Sequence, residues 1–255
     1  MDPTSAPWRI APVAVDEPAV LLDDGLADFD RLATDPTPRL RWYRASHTAI
    51  VRGRGQRRLA LDAGDVPVVT RHSGGGAVLL SPDVLSCDVV VPADHPLARG
   101  APSDTAARVG AAWQAALASL GVPGLSVHRG APTARRDSPR GQLVAEVCYA
   151  TLAAGEVTAG GRKLVGLAQR RRRHGVLVQC GLLHRWEPAR LLAALGADPD
   201  DPEIAAAAVG LADLTPIPPT EPDVVAQVSA HLAAWPALPP TRIGSVPMDA
   251  SEQRS

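Results

Sequence analysis

The chain reads as an α/β (α+β) domain: a mixed, largely antiparallel sheet flanked by helices, these packed on one side of it. Three observations predict this. Strand-like segments outnumber helix-like ones and come in runs. Only one long helix crosses the middle of the chain. No break in composition marks a second domain. A doubly wound parallel sheet would instead need helices and strands in regular alternation.

Residues 1–16 are rich in Pro and Ala and are expected to be flexible. A single domain is expected over 17–235. Glu17 to Leu32 reads as a helix, because Leu22, Leu26, Phe29 and Leu32 share a face. Leu40 to Tyr43, His47 to Val51 and Val66 to Thr70 read as strands. Ala77 to Leu80 and Leu85 to Val91 follow as two more, the second stopped by Pro92. The long helix starts at Ser103, a good N-cap, and stops at Gly121; Val109, Trp113, Leu117 and Leu120 form its buried face. Arg129 to Gly141 is a polar loop. Leu143 to Tyr149, Glu156 to Ala159, Lys163 to Gln169 and Gly175 to Leu183 read as strands, with Gly160-Gly161 a tight hairpin turn. Glu187 to Leu195, Pro202 to Leu214 and Pro222 to Trp235 read as helices. The tail 236–255 has few apolar residues and is expected to be flexible.

Composition excludes several classes of function. The 255 residues are 45% hydrophobic and 21% charged, enough to bury a core. A formal net charge of -1 gives no whole-chain grip on nucleic acid or membrane, and 3% aromatics give no stacking platform. No window approaches the ~18 apolar residues of a membrane span. The start, Met1-Asp2-Pro3-Thr4, lacks a basic region and an apolar stretch, so no secretion signal is expected. Three cysteines without a Cys-x-x-Cys pair argue against disulfides or a metal site and for a reducing, cytoplasmic setting.

One count is sharper. Of 26 basic residues, 25 are arginine and one is lysine, Lys163. A codon bias toward arginine explains the 25. The exception still carries information, since lysine offers a compact ammonium where arginine offers a planar fork.

Four stretches could carry chemistry. In Arg71-x-Ser73-Gly74-Gly75-Gly76-Ala77-Val78, three glycines let backbone amides approach an anion, and Arg71 could add a charged donor. A triple glycine alone is more often a turn, and neither nucleotide-binding glycine fingerprint is matched. In Gly161-Arg162-Lys163-Leu164-Val165-Gly166-Leu167-Ala168-Gln169, the lysine either reaches into a pocket or blunts a sheet edge. Cys148 is either an inert strand residue or a nucleophile activated by a neighbouring cation, for which Lys163 is the candidate. Cys87 and Cys180 have weaker context. The run Arg170 to Arg173 with His174 is either a solvated turn or the mouth of a site that attracts an acidic partner.

Taken together, these motifs resemble one family. The glycine motif, a strand ending in Val-Pro, a long helix and Gly-Arg-Lys163-x-x-Gly166-x-Ala168-Gln169-x-Arg171 occur in the order of the lipoate-protein ligase A superfamily, which also holds biotin protein ligases and octanoyl transferases. Arg41-Trp42-Tyr43-Arg44 with Thr48 to Arg52 is similar to that family's paired upstream strands. The resemblance runs from about Glu17 to Leu183. It implies the mixed sheet shared by biotin protein ligases and class II aminoacyl-tRNA synthetases. It also implies an acyl tunnel bracketed by Arg71, Ser73, Gly74, Gly75, Gly76 and Ala77 on one side and Lys163, Gly166 and Ala168 on the other.

The resemblance places Cys148 and Lys163 as a catalytic pair. Cysteine-dependent octanoyl transferases hold their cysteine 15 positions before this lysine, as here. The reading that follows is transfer of an octanoyl or lipoyl group through a Cys148 thioester to a lysine of a lipoyl-domain protein, with no cofactor. The donor would be an acyl carrier protein. The alternative is an ATP- and Mg²⁺-dependent ligase that uses free lipoate and holds the adenylate on Lys163. A third reading, a non-catalytic acyl-binding homologue, is motivated by departures: Thr70 where the family usually has arginine, Leu80-Ser81 where it often has His-Asp, and Gln179-Cys180 where it commonly has His or Thr. None of the readings needs nucleic acid, membrane or a resident metal.

Overall fold

A computed structural model describes residues 7–235; the expected tail 236–255 and the first six residues lie outside them. The core is an eight-stranded sheet. Its strands are β1 (Arg9–Ile10), β2 (Ala14–Asp16), β3 (Arg39–Ala45), β7 (Val84–Pro92), β8 (Leu125–Val127), β9 (Val157–Ala159), β10 (Arg162–Arg172) and β11 (Gly175–Leu183). They lie in the order β1-β3-β7-β11-β10-β9-β8, with β2 also on β3. All pairs are antiparallel except those of β1 and β2 with β3. A small second sheet joins β4 (Ala49–Arg52), β5 (Val68–Thr70) and β6 (Val78–Leu80) in the order β5-β4-β6.

Strand β7 is buried along its whole length, because both faces of the sheet are covered. Leu85, Cys87, Val89 and Val91 pack with Val109, Trp113 and Leu117 of α2 (Pro102–Ser119) and with Val224, Val228 and Leu232 of α6 (Glu221–Ala233). Val90 meets Phe29 of α1 (Pro18–Arg31) on the other face. Helices on one side only was the expectation; the alternation of β7 gives both faces an apolar partner, and α1 takes the second. Segment 9–16, expected to be flexible, is held by its pairing to β3.

Most strands fall where the periodicity puts them. Gly160 and Gly161, at φ +57° and +80°, make the hairpin between β9 and β10, a geometry that matches the twist of the flanking strands. The main revisions are local. Helix α2 begins at Pro102, with Asp104 accepting from the Ala101 amide at 2.8 Å, so Ser103 is not its cap. Residues 139–146 form helix α3 (Pro139–Glu146), not a strand: Ser138 caps it by accepting from the Gly141 amide at 3.0 Å, and Pro139 suits its first turn. The segment after Pro202 is not one helix: α5 (Pro202–Ala207) ends where the Val209 amide instead donates to the carbonyl of Lys163 at 2.9 Å, and a single 3-10 turn follows at Leu211–Asp213. Before it, α4 (Ala189–Ala194) is a short helix. The arginine run belongs to β10 as far as Arg172. Arg170 donates to His72 O, Arg171 to the carbonyls of Ala98 and Gly100, and Arg172 pairs with Asp30. The run anchors the strand to its neighbours.

Candidate active site

Two cavities flank one short stretch of chain, residues 148–153. The first is narrow, about 80 Å³, and mostly apolar: Leu22 of α1, Val78 and Leu80 of β6, Val84 of β7 and Leu167 of β10 wall it together with Cys148 and Tyr149. The second is a wide cleft of about 630 Å³ between Gly74, Gly75 and Gly76 on one side and Thr151 to Ala153 on the other, with Arg54, Arg136 and Glu146 in its walls.

Cys148 is half-buried and opens a single 3-10 turn, Cys148–Ala150, directly after α3. Its amide donates to Ala77 O at 2.8 Å, and the Ala77 amide donates to Glu146 O at 2.6 Å. This exchange lays the glycine motif against the cysteine turn. It requires glycine at 76, where a Cβ would stand 2.8 Å from both the Cys148 nitrogen and the Glu146 oxygen. Tyr149 lies across two glycines facing each other in register, Gly166 and Gly181. A Cβ at Gly166 would sit 3.2 Å from its ring, and its hydroxyl donates to Gly181 O at 2.6 Å. Burial pushes that phenol up, away from ionisation. The sequence motif around Gly166 is therefore a seat for the residue next to Cys148.

Lys163 is 1% exposed, in the interior of the sheet and not at an edge. Its ammonium has three N–H donors and three acceptors. Glu156 Oε1 lies at 2.6 Å, Cys148 O at 2.8 Å and Thr151 O at 2.8 Å. The Tyr149 ring centroid is 5.2 Å away. Lysine and cysteine are thus brought together, but through the cysteine's carbonyl. The expectation that Lys163 brackets an acyl tunnel opposite the glycine motif is not met: Lys163 belongs to neither cavity wall, and its donors are all engaged.

The other expected residues divide between the two cavities. Gly74, Gly75 and Gly76 line the wide cleft, not the apolar cavity, while Arg71, Gly166 and Ala168 line the apolar one. Arg71, expected as an anion donor, is buried and spends its guanidinium on the carbonyls of Gly74 and Gly76, both at 2.8 Å, and of Val51 at 3.3 Å. It fixes the glycine loop from within. Ser73 donates to Gln179 Oε1 at 2.7 Å.

Gln179 ends a buried polar row that the sequence did not reveal. Arg41, Asp88 and Gln179 stand opposite one another on β3, β7 and β11. Arg41 donates to Asp88 at 3.3 Å and the Tyr43 hydroxyl at 3.2 Å. Tyr43, Ser86 and Gln179 join Arg71 as polar side chains in the apolar cavity's wall. Burial pushes the Asp88 carboxyl up to about 6, against the pull of Arg41. A folded-state value above the unfolded one means that the native protein holds this proton more tightly. The contribution is therefore present at low pH and is lost as pH rises through about 6. A shift of roughly two units corresponds to about 3 kcal/mol. Stability by urea denaturation should fall between pH 4 and 7 by up to that amount more in the parent than in Asp88→Asn. Parallel pH curves for the two proteins would show that Asp88 carries no such proton.

Cys87 and Cys180 face each other across β7 and β11. Burial pushes both thiols up, which makes them poor nucleophiles. Among the described residues no group of three His, Cys, Asp or Glu side chains could hold a metal ion, and no helix is long and apolar enough to cross a membrane.

Comparison with known proteins bears on the family and the fold. A family model described as the lipoyl protein ligase A/B catalytic domain matches residues 22–233. The octanoyltransferase LipM of Moorella thermoacetica is 32% identical over 182 residues, covering 68% of this chain and 63% of that protein, so less than two thirds of the relative's length is matched. Among solved structures, a lipoate-protein ligase A bound with ATP superposes with a TM-score of 0.65 at 17% identity, covering 89% of this chain and 84% of the other. The protein Ta0514 of T. acidophilum, with bound lipoic acid, superposes with a TM-score of 0.64 at 16% identity and the same coverage. At these identities the two structures establish the fold.

Proposed function

We propose that this chain, which belongs to the lipoyl protein ligase A/B catalytic domain family, is an acyltransferase that carries an octanoyl or lipoyl group on Cys148. One observation carries the reading. The only cysteine outside the buried core sits on a turn between a narrow apolar cavity and a wide cleft. The cavity suits a medium-length acyl chain, and the cleft opens beside the same turn, at Thr151 to Ala153, where a second partner would approach. The 32% identity to an octanoyltransferase supports the same chemistry.

The steps are acyl exchanges. The Cys148 sulfur attacks the carbonyl carbon of the donor thioester; a new C–S bond forms, and the donor thiol leaves with the proton. The amine of an acceptor lysine then attacks the Cys148 thioester. An amide forms, and the Cys148 thiol is regenerated. The donor is an acyl carrier protein and the acceptor a lipoyl-domain protein. No cofactor enters either step.

The test is intact mass. Mixed with octanoylated carrier protein, the chain should gain one octanoyl group, and it should lose that group on addition of an apo lipoyl domain. A protein that never gains the group, while lipoylating the same domain with free lipoate and ATP, would be a ligase. That second reading is favoured by the volume of the wide cleft, which has room for a nucleotide and has Arg54 and Arg136 in its walls for the phosphates, through which Mg²⁺ would be held. Turnover by either route would dismiss the third reading, a non-catalytic binder.

A further inference from the structure

We propose that Glu156 is a positioning residue that sets the Cys148 turn through Lys163; the proposal rests on the transferase reading above. Its side chain is 3% exposed. One oxygen takes the Lys163 ammonium at 2.6 Å and the Leu167 amide at 3.3 Å; the other takes the Ala153 amide at 2.8 Å. Lys163 in turn donates to the carbonyls of Cys148 and Thr151. One carboxylate therefore governs three points of segment 148–153, directly at Ala153 and through the ammonium at Cys148 and Thr151. That segment walls the apolar cavity with Cys148 and the cleft with Thr151 and Ala153.

The carboxylate is itself held fixed. Gly155, at φ +90°, packs so closely under α2 that a Cβ there would lie 2.2 Å from the backbone of Ala106. The start of β9 is thus locked against the longest helix, and Glu156 projects from a rigid point. The ammonium carries the position of that point to the cysteine. Without the carboxylate the lysine has two carbonyls but no counter-charge in a site closed to water, and the turn loses both its electrostatic anchor and the Ala153 contact.

A small displacement of a nucleophile can cost on the order of 100-fold in rate. The full chain and the variants Glu156→Gln, Glu156→Asp, Lys163→Met and the double variant Glu156→Gln/Lys163→Met are compared by three measurements: kcat and KM for octanoyl transfer, the pH profile of Cys148 alkylation by iodoacetamide, and the thermal midpoint. Glu156→Gln should lose roughly 100-fold in kcat. KM for the donor should change by less than about threefold, because the acyl cavity is lined without Glu156. Its alkylation profile should be displaced, and Glu156→Asp, which keeps the charge on a shorter arm, should recover part of the rate. In the double variant the glutamine should add little to the loss caused by Lys163→Met, since its hold on Cys148 passes through the lysine and an amide oxygen can still accept from Ala153. Losses that multiply independently, or a Glu156→Gln protein with parental kcat and alkylation profile, would overturn the proposal. If Glu156→Gln does not fold, Glu156→Asp and the double variant decide by the same two readouts. A parent that makes no thioester overturns the transferase reading alone, and the alkylation profiles then still judge Glu156.

Discussion

Cys148→Ala is expected to abolish the acyl-enzyme and to cut transfer on the order of 10⁴-fold or more, the scale seen when a covalent nucleophile is removed. That loss corresponds to about 5 kcal/mol of barrier. The fold should be spared. The turn is held by the Cys148 amide on Ala77 and by the Cys148 carbonyl under Lys163, and neither bond involves the sulfur. Truncating a half-buried thiol should leave stability within roughly 1 kcal/mol of the parent. Activity and stability should therefore separate, which a residue important only for packing would not allow. Alkylation supplies a second measure: iodoacetamide should mark the native parent once, at Cys148, because Cys87 and Cys180 are buried and their thiols are pushed up. Undiminished octanoyl transfer by Cys148→Ala would sink the thioester route. ATP-driven lipoylation that persists in the same variant would assign the site to ligation.

The parts of this molecule that could be read in the sequence are those encoded locally. β11 was readable from Gly175 to Leu183 because an apolar run is bounded by a turn on one side. α1 was readable because its apolar positions repeat with a helical period. α3 is ambiguous in the sequence because Leu143, Val144 and Val147 also suit a strand, and only the Ser138-Pro139 start signal speaks for a helix. The functional residues follow the same division. Lys163 stood out by composition, and Gly76 by its motif. Asp88 and Glu156 did not. Each is one acidic residue among many, and its meaning arises only when the sheet brings it to a partner: Asp88 to Arg41, 47 positions away, and Glu156 to Lys163 across a hairpin. Arg71 is visible in the motif but its task is not, since sequence cannot show that a guanidinium is already filled by two carbonyls of its own loop, Gly74 and Gly76, and by Val51 of β4. The pairing of Gly166 with Gly181 under Tyr149 likewise depends on strand register, which one strand alone does not encode.

Lys163→Arg is expected to fail although it keeps the charge. The ammonium sits among a carboxylate and two carbonyls at 2.6 to 2.8 Å, with its three donors matched to three acceptors. A guanidinium brings five donors in a planar fork and a larger head into a site that is 1% exposed. Either the fork displaces the Cys148–Ala150 turn or the side chain abandons Glu156. Overpacking of this kind costs roughly 1–3 kcal/mol. Lys163→Met removes the clash but strands the Glu156 carboxylate without its partner, for about 3–5 kcal/mol. Urea denaturation should therefore rank the parent above Lys163→Arg and Lys163→Arg above Lys163→Met. Octanoyl transfer should fall in both variants, roughly 100-fold or more, because both move the cysteine. In a chain that uses arginine at 25 of its 26 basic positions, the arginine variant is the sharper of the two. If it transfers at the parental rate and unfolds within about 0.5 kcal/mol of the parent, the shape of the ammonium is irrelevant here. The lone lysine would then be a coding accident, and either cation would hold the Cys148 turn.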